Sequence, residues 1–125
     1  MKDWSKFAEE WQNAWNAHDL ERLLAHFHDD ILFTSPVAAG LLPETKGYIR
    51  GKEALRAYWA AGLRHISDLH FTVEQIFAGM DTLVIQYRNQ KDVVVSEVLH
   101  FSDGKVREGH GTYPPGETNP AGARA

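Results

Sequence analysis

The chain has 125 residues, 43% of them hydrophobic, with 13 basic against 17 acidic side chains and no cysteine. That is enough apolar sequence for one core without disulfide or metal support, and it excludes a disordered chain, a disulfide scaffold and sulfur-based chemistry. A net charge of -4 lacks the basic footprint of a nucleic-acid binder, and neither the run from Met1 to Lys6 nor any later stretch is an apolar leader or membrane span, so the expectation is a cytoplasmic protein with no nucleic-acid or membrane partner.

Trp4, Phe7, Trp11, Ala14 and Trp15 recur at helical spacing and predict a helix over residues 4–17, with Asp3 or Ser5 as N-cap. Asp19 is placed to cap a second helix striped by Leu20, Leu23, Leu24 and Phe27, so the two form a hairpin. His28-Asp29-Asp30 reads as a polar turn before a short strand, 31–34, that Pro36 stops. Residues 37–50 hold two glycines and a proline without sustained periodicity, and read as a long loop suited to a lid. Leu55, Tyr58, Trp59 and Leu63 mark a third helix.

From Leu69 the period changes to two. Phe71, Val73, Gln75 and Phe77 share one alternation, as do Leu83, Ile85 and Tyr87, and then Val93, Val95, Glu97, Leu99 and Phe101. Turn residues at 78–81, 89–92 and 102–104 join these runs as hairpins, with a last strand at 105–113. Residues 114–125 carry three of the five prolines and no large apolar side chain, so they read as a flexible tail to a single domain at 1–113. Helices followed by a meander predict an α+β fold in which a helical hairpin and a third helix pack on a strongly curved, mainly antiparallel sheet and enclose a mostly apolar pocket.

Glu97 is the chemical anomaly, a carboxyl on an otherwise apolar strand face, where desolvation disfavours its charge unless it is partnered. It is either an acid–base group or a structural acid bonded to the indole of Trp11 or Trp15 or to the guanidinium of Arg107. Trp11, Trp15, Phe33, Ser35, Tyr58, Trp59, Tyr87, Val95, Arg107 and Tyr113 are the candidate ligand-binding residues, Ser35 having the alternative of capping the turn at Pro36, and Arg107 that of closing the pocket mouth. Gly109 and Gly111 weaken a strand interior and suggest added cavity space. His26 and His28 diverge, and no His-x-x-x-His pair falls on a helix, so no metal or cofactor is expected. His100 and His110 fall on the outer face of the sheet, where they meet either a dimer partner, making association respond to pH, or merely water.

The order of Ala14-Trp15-Asn16-Ala17-His18-Asp19-Leu20, Phe33-Thr34-Ser35-Pro36, Gly51-Lys52-Glu53-Ala54-Leu55-Arg56-Ala57-Tyr58-Trp59 and Gly104-Lys105-Val106-Arg107 resembles the nuclear transport factor 2-like superfamily, in its SnoaL-like and ketosteroid isomerase-like branch. The resemblance implies a conical α+β barrel with a deep cavity, paired into a homodimer through the outer sheet face. It also implies where catalytic groups would stand. The isomerase base position falls on Ser35, its tyrosine network on Trp11, Phe27 and Trp59, and the cyclase His and Asp on Gly109 and Gly111, whereas Glu97 matches the oxyanion-side acid. Two main readings follow: a binder of a small apolar or polyketide-like ligand, or a lyase, isomerase or cyclase-type enzyme with Glu97 as acid or base. A protein-binding scaffold is the third.

Overall fold

The computed structural model describes residues 3–124; Met1 and Lys2 of the N-terminal run and Ala125 of the final segment lie outside the described residues. Asp3 accepts a hydrogen bond from the Lys6 amide at 3.0 Å and opens helix α1 (Trp4–Asn16), whose Phe7, Ala8, Trp11, Ala14 and Trp15 are buried. His18, at φ +56°, turns the chain, and Asp19 caps α2 (Leu20–Leu24) through the Arg22 amide.

The second helix is shorter than its stripe suggests. Phe27 is buried, but it opens strand β1 (Phe27–Thr34), which also takes in His28, Asp29 and Asp30 instead of leaving them in a turn. Pairing decides this: the Val106 amide bonds the His26 carbonyl at 2.9 Å, and a register shift between Phe27 and Leu32 lets the polar residues bulge outward. Residues 37–50 are likewise ordered. Ser35 caps α3 (Pro36–Leu41), a 3-10 turn spans Pro43–Thr45, and β2 (Tyr48–Arg50) pairs antiparallel with β1. Each piece is too short to show a period; a cap holds α3, and pairing with β1 holds β2.

Helix α4 (Lys52–His65) buries Leu55, Tyr58, Trp59 and Ala61. The meander follows as β3 (Thr72–Gly79), β4 (Thr82–Arg88), β5 (Val94–Ser102) and β6 (Lys105–Thr112). The six strands form one curved, unclosed sheet in the order β2-β1-β6-β5-β4-β3, antiparallel except for the β1–β6 pair. Asp103 and Gly104, both at positive φ, make the two-residue turn between β5 and β6 that matches the twist of such a hairpin.

Two further bulges, in the meander, break the simple alternation. Val73 pairs with Tyr87, but Gln75 pairs with Gln86, so Glu74 is extra; Ile76 then takes the inner side, and Phe77 is 53% exposed instead of joining Phe71 and Val73. The second bulge lies in β6, where Phe101 pairs with Val106 but His100 pairs with Glu108. It swings Arg107 out of the face occupied by Gly109 and Gly111.

Residues 114–124 form no helix or strand, yet they lie against the domain instead of hanging free. The Asn89 and Gln90 side-chain amides donate to the carbonyls of Pro120 and Ala121 at 2.8 and 2.6 Å, and the Arg124 amide donates to the His65 carbonyl at 2.6 Å. Borrowed hydrogen bonds order a segment whose own apolar content is small.

Candidate functional site

The concave side of the sheet, α1, α4 and the final segment enclose a cavity of about 50 Å³, room for a few waters. Trp15 comes from α1, Tyr58 and Trp59 from α4, Tyr87 from β4 and Glu97 from β5, while Phe33, Ser35 and Tyr113 close the side where β1 meets β6. Gly111 supplies space rather than a group. A methyl added there would stand 3.4 Å from Glu97 Oε1, 3.5 Å from Ser35 Oγ and 3.6 Å from the Tyr113 ring, so these three converge on one spot.

Glu97 is 5% exposed, between Val95 and Leu99 on the inner row of β5. Burial pushes its pKa up to about 7, and no cation or hydrogen bond among the described residues draws it back. At neutral pH this carboxyl is therefore divided between its protonated and ionised forms. Tyr58, Tyr87 and Tyr113 are raised by burial, so their phenols remain neutral donors, with the Ser35 hydroxyl pulling against the burial of Tyr58 and Tyr113. The indole N–H of Trp15 and the side-chain oxygen of Gln90, both on cavity-lining residues, have no hydrogen-bond partner. Buried polar groups of this kind are ordinarily satisfied, so both are open to a hydrogen bond from water or a bound molecule.

The positions expected from the sequence divide as follows. Trp15, Phe33, Ser35, Tyr58, Trp59, Tyr87, Glu97 and Tyr113 all line the cavity. Ser35 does so while capping α3, its Oγ accepting from the Val37 amide at 3.1 Å. Trp11 sits one layer behind, stacked on Phe71 at 5.7 Å and against Tyr87 at 5.2 Å, and Val95 is core beside Tyr87. Arg107 neither reaches Glu97 nor closes the mouth: the β6 bulge turns it to solvent, where it pairs with Asp30 at 2.6 Å. Nor does Trp11 or Trp15 bond Glu97, since both indole N–H groups are unpartnered.

Several lining residues escaped the sequence reading. Phe71 packs against Tyr87 with ring centroids 4.3 Å apart, Ile66 and Leu69 come from the α4–β3 connection, and Asn89 and Gln90 form the rim with Ala121 of the final segment. Their signal is tertiary. The tyrosine positions implied by the resemblance do hold Trp11, Phe27 and Trp59, but three phenols reach the cavity from Tyr58, Tyr87 and Tyr113 instead.

An open, curved sheet backed by helices is the cone-shaped fold of the nuclear transport factor 2-like class. The sequence profile of the SnoaL-like domain matches residues 8–109, and the chain belongs to that family. It is similar to a SnoaL-like protein of unknown function from Burkholderia thailandensis, with 40% identity, a TM-score of 0.83, and 88% of this chain and 92% of that one covered. The fold is shared with a putative polyketide cyclase from Sinorhizobium meliloti at 12% identity and TM-score 0.70, covering 86% and 94%. It is also shared with TerC, co-crystallized with polyporic acid, at 12% identity and TM-score 0.72, covering 88% and 90%. Among proteins of curated function, none matches this sequence.

Proposed function

We propose that this protein binds a small, largely apolar aromatic molecule bearing a carbonyl or quinone-type oxygen, which accepts a hydrogen bond from protonated Glu97. The observation that carries this reading is a buried carboxyl without a partner, facing Ser35 and three neutral phenols in an otherwise apolar cavity. A neutral acid is a strong donor to a ligand acceptor, and the aromatic walls supply non-directional contact. The names of two fold relatives, a putative polyketide cyclase and a protein co-crystallized with polyporic acid, agree with such a ligand class. Because the cavity is small, a ligand of that kind enters by moving the rim at Asn89, Gln90 and Ala121.

Trp15 and Trp59 report on occupancy. Titration with acetophenone, its hydroxylated forms and polyporic acid should quench tryptophan fluorescence saturably, with affinity falling as pH rises through 7. Glu97→Gln, which keeps a donor but cannot ionise, should bind with a flat pH profile. Absence of saturable quenching by every probe, or the same pH profile in both proteins, would refute the reading.

The pKa of about 7 favours a second reading, in which Glu97 moves a proton on the bound molecule while the phenols of Tyr58, Tyr87 and Tyr113 face the developing oxyanion. Exchange of α-hydrogens of a bound ketone for deuterium in D2O, seen by NMR and abolished in Glu97→Gln, distinguishes this from binding alone. A homodimer through the polar outer sheet face also belongs to this proposal, and light scattering tests it.

A further inference from the structure

The opposite face of the sheet carries a second cluster. Ser102 pairs with Lys105 and Phe101 with Val106, after which the bulge sets His100 opposite Glu108. A hairpin without that extra residue would place Arg107 across from His100 and turn Glu108 inward beside Leu99. With it, His100, Glu108 and His110 share the outer face, and one donor atom from each lies within 4.8 Å of the others. His110 Nε2 stands 2.7 Å from Glu108 Oε2, and this contact holds the carboxyl below its ordinary pKa.

The far sides of both rings are also held. His110 Nδ1 meets Thr34 Oγ1 at 2.6 Å and His100 Nδ1 meets Thr82 Oγ1 at 3.2 Å, each threonine lying in register with its histidine on the neighbouring strand. A hydroxyl bonded to one imidazole nitrogen holds the ring in place and leaves the other nitrogen directed at the cluster. All three side chains are half-buried, so ordering them costs less than ordering fully solvated ones.

We propose that His100, Glu108 and His110 form a binding site for a divalent transition metal, Zn²⁺ foremost, through the two imidazole Nε2 atoms and one carboxylate oxygen. Two imidazoles and a carboxylate suit zinc, leave a fourth position for water, and disfavour Mg²⁺ and Ca²⁺, which prefer all-oxygen sets. The site lies across the sheet from the cavity and does not depend on the ligand reading; it stands on the face proposed above for a homodimer, and since each chain brings all three donors, one metal per chain is expected whether or not the chain pairs.

Isothermal titration of the untagged full chain, stripped with EDTA and dialysed, with Zn²⁺ alone tests it. One Zn²⁺ per chain with micromolar affinity is expected, unchanged in Glu97→Gln. His100→Ala and His110→Ala should each weaken binding about 100-fold or more, and Thr34→Val, which removes only the outer hydroxyl, about 10-fold. On the unmodified chain, Zn²⁺ should shift the imidazole NMR signals of His100 and His110 alone among the seven histidines. No saturable heat in the millimolar range, unchanged affinity in both histidine variants, half a metal per chain, or signals perturbed at other histidines would overturn the proposal.

Discussion

Replacing Glu97 by Gln should make the protein more stable relative to wild type as pH rises. The carboxyl titrates near 7 in the folded chain and at its ordinary 4.5 when unfolded, because burial alone opposes its charge. Below about 4.5 both states hold the proton and the group contributes no pH dependence. Between 4.5 and about 7 the unfolded chain releases its proton first, so folding is progressively disfavoured; above 7 the penalty is constant. At roughly 1.4 kcal/mol per tenfold difference in proton affinity, wild type should lose about 3 kcal/mol across that window. This is a large share of the ~5–15 kcal/mol typical of a domain. Glu10, Glu21 and Glu108, whose pKa values are lowered by Arg22, Arg56 and His110, act in the opposite direction at lower pH, but they are common to both proteins and cancel in the difference. Urea unfolding of wild type and Glu97→Gln at closely spaced pH values from 4 to 8.5 measures that difference. A gap that stays flat, or one that favours wild type as pH rises, would show that Glu97 ionises with a partner and would refute the desolvation argument.

The two inner glycines of β6 should respond differently to alanine. At Gly109 a methyl would meet Phe33 Cδ1 at 3.0 Å and Leu99 Cδ2 at 3.2 Å, so Gly109→Ala should cost about 1–3 kcal/mol in urea unfolding. Gly111→Ala has ordinary contacts of 3.4 to 3.6 Å and should leave stability within about 1 kcal/mol while filling the cavity and abolishing probe-dependent fluorescence quenching. Truncation after Tyr113 removes the bonds from Asn89, Gln90 and His65 to the final segment; acrylamide quenching of tryptophan and the rate of probe entry should both rise. Arg107→Ala breaks only an exposed pair with Asp30 and should change stability by less than about 0.5 kcal/mol, with probe binding unaffected.

Local periodicity was a good guide wherever the register stayed constant. The α1 face from Phe7 to Trp15, the row Leu83, Ile85 and Tyr87, and the place of Glu97 among apolar neighbours all follow from spacing and match the structure. Spacing misled where one residue is inserted. Glu74 inverts the sides of Phe77 and Ile76, and the β6 bulge ejects Arg107 while bringing Glu108 beside His100. No window of sequence signals such an insertion, because the pairing strand imposes it. The same holds for β1, whose His28, Asp29 and Asp30 are polar enough for a turn but are drawn into the sheet by β6, and for residues 114–124, whose order comes from Asn89 and Gln90. Of the cavity, the aromatic walls and the acid were legible; the rim and the cluster on the outer face arise from contacts between distant segments.

The position of β6 between β1 and β5 has a kinetic consequence. Thr34 and His110, which touch across the β1–β6 pair, are separated by 76 residues, and contacts of such range fold slowly because a long loop must close before they form. During synthesis the helices with β1 and β2 emerge first and the β3–β5 ribbon later, each with a bare edge awaiting the same strand. The last hairpin therefore joins two half-sheets in one event, and Ser35 meets Glu97 only then. Slow maturation and a transient tendency to associate through those open edges are built into this chain order, and a circular permutant opened between β2 and α4 should shorten that closure and speed refolding.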